Sequence, residues 1–156
     1  MQVDREWSRR IAEQLGAEAE EWQQYAFWAL NEIPELADAV YVEGYAVYDG
    51  PAPPTKHAWI EASGTILDPS PLLVESVRAQ YFPGLRFTRQ QIRERVGETG
   101  MLPPFYQYGW GGFDSPEMMR AGALAAEAIG WKHLAQHYWQ HYVRARALRD
   151  EASRQG

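Results

Sequence analysis

The chain has 156 residues, enough for one domain with a buried core. Hydrophobic residues make up 46% and charged residues 23%, a balance that excludes a disordered chain. A net charge of −6 argues against nucleic acid as a partner, and the lack of cysteine excludes disulfides, thiolate metal sites and thiol catalysis.

The opening stretch MQVDREWSRRIAEQL is charged and has no apolar h-region, so no signal peptide is expected. No apolar run approaches membrane-spanning length. A soluble cytoplasmic protein without cofactors is the expectation.

Trp7, Ile11 and Leu15 recur at helical spacing, with Gly16 as a stop. A second helix is predicted from Glu18 to Asn31 and ends before Pro34. Its middle, YAFWAL (Tyr25 to Leu30), is apolar all round, which predicts burial on most sides. From Ala39 to Tyr48 the period becomes that of a strand, with Val40, Val42, Gly44 and Ala46 as a small apolar set. Glu43 falls between Tyr41 and Tyr45 on the alternate face. That is either the polar face of a half-exposed strand or a ligand contact. The loop DGPAPPT (Asp49 to Thr55) is stiffened by three prolines.

The stretch TKHAWIEASGTILDPS (Thr55 to Ser70) reads as a hairpin about a two-residue turn, Ser63-Gly64. That turn pairs Ala62 with Thr65, Glu61 with Ile66 and Ile60 with Leu67. One face then carries Ala58, Ile60, Ala62, Thr65 and Leu67. The other carries His57, Trp59, Glu61, Ile66 and Asp68. His57 and Asp68 become diagonal neighbours, roughly 7–8 Å apart at the backbone and within side-chain reach.

A short helix is predicted around Leu73 to Ala79, and another from Thr88 to about Val96, with Gln91 placed for a capping box and Gly97 and Gly100 closing it. MLPPFYQYGWGGF (Met101 to Phe113) is irregular and aromatic. Its GWGG is either a lid or a turn anchoring the tail. Ser115-Pro116-Glu117 opens an Ala-rich helix to Ile129, which Gly130 breaks or weakens. A last helix carries Trp131, Leu134, Tyr138, Tyr142, Ala145 and Leu148 on one face. His133, His137 and His141 recur every four residues, a spacing that can chelate zinc. No nearby carboxylate completes a ligand set, so partner contact or a stacked row is the expectation.

The order helix, YVEGYAV (Tyr41 to Val47), KHAWIE (Lys56 to Glu61), LDPS (Leu67 to Ser70) resembles the transglutaminase-like branch of the papain-like cysteine-protease superfamily, in its small bacterial or phage form. YFPGLRFTRQQIRERV (Tyr81 to Val96) is similar to the stretch that follows the motif there. The resemblance implies an α+β fold: a papain/transglutaminase-like core with a buried N-terminal helix and a small antiparallel sheet, then a C-terminal helical extension. The chain would be one domain, with residues 1–108 as the core and 109–156 as the helical layer. It also implies that His57 is the base, that Asp68 orients it, and that Trp22 occupies the place of the nucleophilic cysteine. Loss of that nucleophile costs about a millionfold in turnover. The leading expectation is therefore an inactive relative that binds a peptide or protein in the former cleft, with Trp59, Glu43 and Tyr45 as ligand contacts. The alternatives are a hydrolase or transferase using His57 and Asp68 as a general base without a thiol, and an assembly protein whose aromatic tail drives association.

Overall fold

The computed structural model describes residues 1–16, 22–70, 78–108 and 115–156, with the side chains of Trp22, Gln23 and Tyr108 excepted. Strand β1 (Gln2–Val3) leads into helix α1 (Arg5–Leu15). The Asp4 side chain accepts from the Trp7 N–H at the start of α1, and Gly16, with φ of 62°, closes it. Helix α2 (Trp22–Glu32) follows, and Pro34–Leu36 forms a 3-10 turn. The predicted Glu18 start lies outside the described residues. The YAFWAL stretch is as enclosed as expected, with Ala26, Ala29 and Leu30 at 1% exposure or less.

Strands β2 (Val40–Tyr48), β3 (Thr55–Ala62), β4 (Thr65–Leu67) and β5 (Ala79–Thr88) complete a five-stranded sheet in the order β1-β4-β3-β2-β5. The sheet is mixed, not the antiparallel sheet expected, because β1 runs parallel to β4 through Gln2 opposite Thr65 and Val3 opposite Ile66. The β3–β4 register is the one read from the sequence: Ile60 faces Leu67, Glu61 faces Ile66 and Ala62 faces Thr65. Both turn residues have positive φ, 50° at Ser63 and 77° at Gly64, matching the twist of the flanking strands.

Strand β5 was not expected, and Ala79 begins it; positions 73–77 of the short helix predicted before it lie outside the described residues. Pro83 and Gly84 disguise the strand. A proline is tolerated because, among the described residues, β5 is an edge strand that pairs with β2 on one side. Gly84 falls where the β2–β5 register shifts, a bulge lying between the Glu43–Leu85 and Gly44–Pro83 pairs. A Cβ on Gly44 would lie 2.1 Å from the Phe82 carbonyl oxygen and 2.8 Å from the Trp59 ring, so the two strands can pair here only around glycine.

Helix α3 (Arg89–Thr99) opens on the predicted Thr88–Gln91 capping box and runs through Gly97 to Gly100, past the expected end. The Arg89 guanidinium donates to the carbonyls of Leu30 and Ile33, satisfying orphan acceptors at the end of α2. After a 3-10 turn at Phe105–Tyr108, helices α4 (Pro116–Ala128) and α5 (Lys132–Gln155) form an antiparallel pair broken at Gly130, with φ of 75°. The proposed apolar face of α5 is shorter than predicted. Ala135 is buried, but Trp131 is 39% and Leu148 46% exposed.

The sheet has two unlike faces. One packs against helices in two clusters: Tyr41, Ala58, Ile60 and Leu67 with residues of α1, α2 and α3, and Tyr45 and Val47 with residues of α4 and α5. On the other, the apolar cluster of Val42, Trp59 and Ile66, with Val3, Val40 and Tyr81 against it, comes from strands among the described residues. We call these the helical face and the open face. Among the described residues no helix is long and apolar enough to cross a membrane.

Candidate functional site

His57 and Asp68 meet on the open-face side. Ile66 and Leu67 alternate between the two faces, which turns Asp68, just past β4, toward His57. His57 Nε2 lies 2.5 Å from Asp68 Oδ2, and both side chains are fully buried. The Tyr81 hydroxyl donates to the same Oδ2 at 2.8 Å, and the Ser70 N–H donates to Oδ1 at 3.0 Å. The Asp68 N–H donates to the Ser8 hydroxyl, which donates to the Asp4 carbonyl. One carboxylate thus joins β3, the end of β4 and β5, and its own backbone is tied to α1.

Aromatic rings enclose the pair. The His57 ring stacks near Trp59, with centroids 6.4 Å apart, and Tyr48 and Tyr81 approach at 6.4 and 6.3 Å. Burial first, and the Asp68 charge second, push the Tyr48 and Tyr81 phenols far above their ordinary values. Both stay protonated, so Tyr81 is a permanent donor. The sequence signalled the His57–Asp68 pair but not Tyr81, which sits on the strand disguised by Pro83.

Of the other predicted site residues, Glu43 and Tyr45 lie apart from the pair. Glu43 is on the helical face, fully buried, and β2 is buried from Tyr41 to Val47 instead of half-exposed as expected. Its carboxylate accepts the N–H groups of Phe105 at 2.5 Å and Tyr106 at 2.7 Å, and the Tyr41 hydroxyl at 3.0 Å. Burial drives this carboxyl up to about 7, against the pull of those three donors and of the Arg95 charge. Tyr45 is 2% exposed and packs edge-on against Tyr138 of α5, centroids 5.5 Å apart. Trp59 is also sealed, at 0% exposure. Trp22 is the first residue of α2, and its side chain lies outside the described residues, as does the GWGG stretch at 109–112. In the tail, the His137 and His141 rings lie 4.3 Å apart, and among the described residues no group of three or more His, Asp or Glu is placed to hold a metal.

Comparison with protein-family models, with curated proteins and with solved structures finds no match in any of the three.

Beside the pair, the open face carries a cleft of about 1020 Å³. Trp59, Ile66 and Tyr81 contribute to its lining, with Arg5, Arg78 and Arg86 as its cationic groups. Arg86 forks onto Glu61 at 3.2–3.4 Å. Sequence reasoning missed these arginines because Arg5 opens α1, Arg86 lies on the unrecognised strand β5 and Arg78 immediately precedes it.

Proposed function

We propose that this protein is a non-catalytic binding module, a nucleophile-less relative of the transglutaminase-like enzymes, whose ligand is a peptide or protein segment laid in the open-face cleft. One observation carries the reading: His57, Asp68 and Trp59 are all sealed from solvent, while Tyr81, which donates to Asp68, is partly exposed and lines a cleft beside them. Both Asp68 oxygens are already engaged, by His57, Tyr81 and the Ser70 N–H, an arrangement suited to fixing a surface in place. The chain has no thiol for such a pair to activate. The cleft lining sets Arg5, Arg78, Arg86 and Glu61 beside Val3 and Tyr81, so polar groups able to orient a ligand adjoin apolar contact.

NMR chemical-shift mapping with a pool of short peptides of varied sequence tests this. The expected result is a set of shifts centred on Gln2, Glu61, Gln80 and Arg86, with every peptide recovered uncleaved. No shifts with any peptide, or shifts confined to α5, would overturn the reading. Amide turnover abolished in His57→Ala would replace it with a hydrolase using the pair as a general base.

A further inference from the structure

We infer that the ligand of this cleft is an acidic peptide segment, held by arginine forks on both sides of β5. The inference rests on the cleft being a peptide site and names its chemistry. The chain carries 13 Arg against 2 Lys, within a net charge of −6. Arg5, Arg78 and Arg86 line the open-face cleft. Pro83 and Arg86 also line a second cleft of about 500 Å³ beside β5, α4 and α5, where Arg120, Arg146 and Arg149 contribute. The two clefts meet at Pro83 and Arg86, so six guanidinium groups border one path across β5.

Four carboxylates accompany them: Asp49 and Glu61 in the first cleft, Glu117 and Asp150 in the second. Glu61 is taken by Arg86, and Glu117 by a two-pronged bond from Arg149 at 2.6 and 2.8 Å. Arg78 and Arg120 have no ion-pair partner among the described residues. Exposed pairs of this kind add little to stability, so the gathering of cations is not explained by the fold. In a concave setting it focuses a positive field that attracts anions. The groups are almost all arginine, whose planar fork matches a carboxylate with two parallel hydrogen bonds. Phe82, Leu124 and Tyr142 line the second cleft and offer apolar contact to the aliphatic residues of such a segment. A polynucleotide is disfavoured by the burial of Trp59, which leaves that ring no face on which a base can stack.

Fluorescence anisotropy with three labelled peptides of about ten residues decides the matter: one rich in Glu and Leu, its Gln counterpart and its Lys counterpart, each at low and at high salt. The Glu peptide should bind, and salt should weaken it. Arg78→Glu and Arg120→Glu, both exposed positions, should each weaken it by about tenfold, while Arg154→Glu at the far end of α5 should not. Equal binding of the Gln peptide with no effect of either reversal would overturn the acidic preference and leave the binding module standing. Failure of all three peptides would sink both. Tighter binding of a single-stranded oligonucleotide than of the Glu peptide would show a general polyanion site and overturn the inference.

Discussion

The carboxylate of Glu43, in the middle of β2, accepts the backbone N–H of Phe105 at 2.5 Å, across 62 residues of chain. With the Tyr106 N–H and the Tyr41 hydroxyl as further donors, it pins the segment after α3 onto the helical face. Glu43→Ala would leave these buried donors without an acceptor, at about 1–3 kcal/mol each. A total loss of about 3 kcal/mol or more is expected in urea melts. A loss below about 1 kcal/mol would mean that ring contacts, such as Phe87 against Phe105 at 5.0 Å, hold the segment instead.

The same group sets a pH dependence. Its carboxyl is raised by burial from 4.5 to about 7, so the native state holds a proton that the unfolded chain has released between those values. Stability therefore falls as pH rises through that window, by about 3 kcal/mol if the shift is fully expressed. Glu117 works in the opposite sense. Its bond to Arg149 lowers its carboxyl, and that contribution is lost as pH falls through the lowered value. Being about 40% exposed, that pair contributes at most about 1 kcal/mol. Melts from pH 4 to 8 should show the fall in wild type and a flatter profile in Glu43→Gln. A wild-type profile rising through the window would contradict the assignment.

Asp68 anchors three donors or partners, so its removal should cost more than that of any one of them. Asp68→Ala strands a buried His57 and is expected to lose about 3–5 kcal/mol. Tyr81→Phe removes a single bond to a charged acceptor, about 1.5–3 kcal/mol. In the Asp68→Ala background Tyr81→Phe should cost far less, because the acceptor is already gone. Additive losses would show that Tyr81 stabilises the sheet by packing and not through Asp68.

Two glycines should respond oppositely to alanine. At Gly44 the new Cβ meets a backbone oxygen, Phe82 O, which no rotamer change can move, so Gly44→Ala should cost about 3 kcal/mol or more. At Gly97, inside α3, nothing lies within 4 Å, and Gly97→Ala should stabilise by about 0.5–1 kcal/mol. Thermal unfolding of the two variants beside wild type is the check.

What the sequence determined by itself is local. Gly16 ends α1, Thr88 and Gln91 cap α3, and Ser115 with Pro116 opens α4, each through hydrogen bonds or backbone angles spanning a few residues. The His57–Asp68 contact belongs with these, because a two-residue turn fixes the register of its hairpin and the register fixes which side chains meet. Tertiary structure decided the rest. β5 is a strand because β2 offers it an edge that tolerates Pro83, and β1 is a strand only because β4 lies beside it. Glu43 appeared as a polar position on a half-exposed strand, and it is buried because donors from Phe105 and Tyr106 come to it from far along the chain. The clefts and their arginines depend equally on distant pairings. Alternation and capping are short-range properties of a chain, whereas burial and surface shape depend on which distant elements pack together.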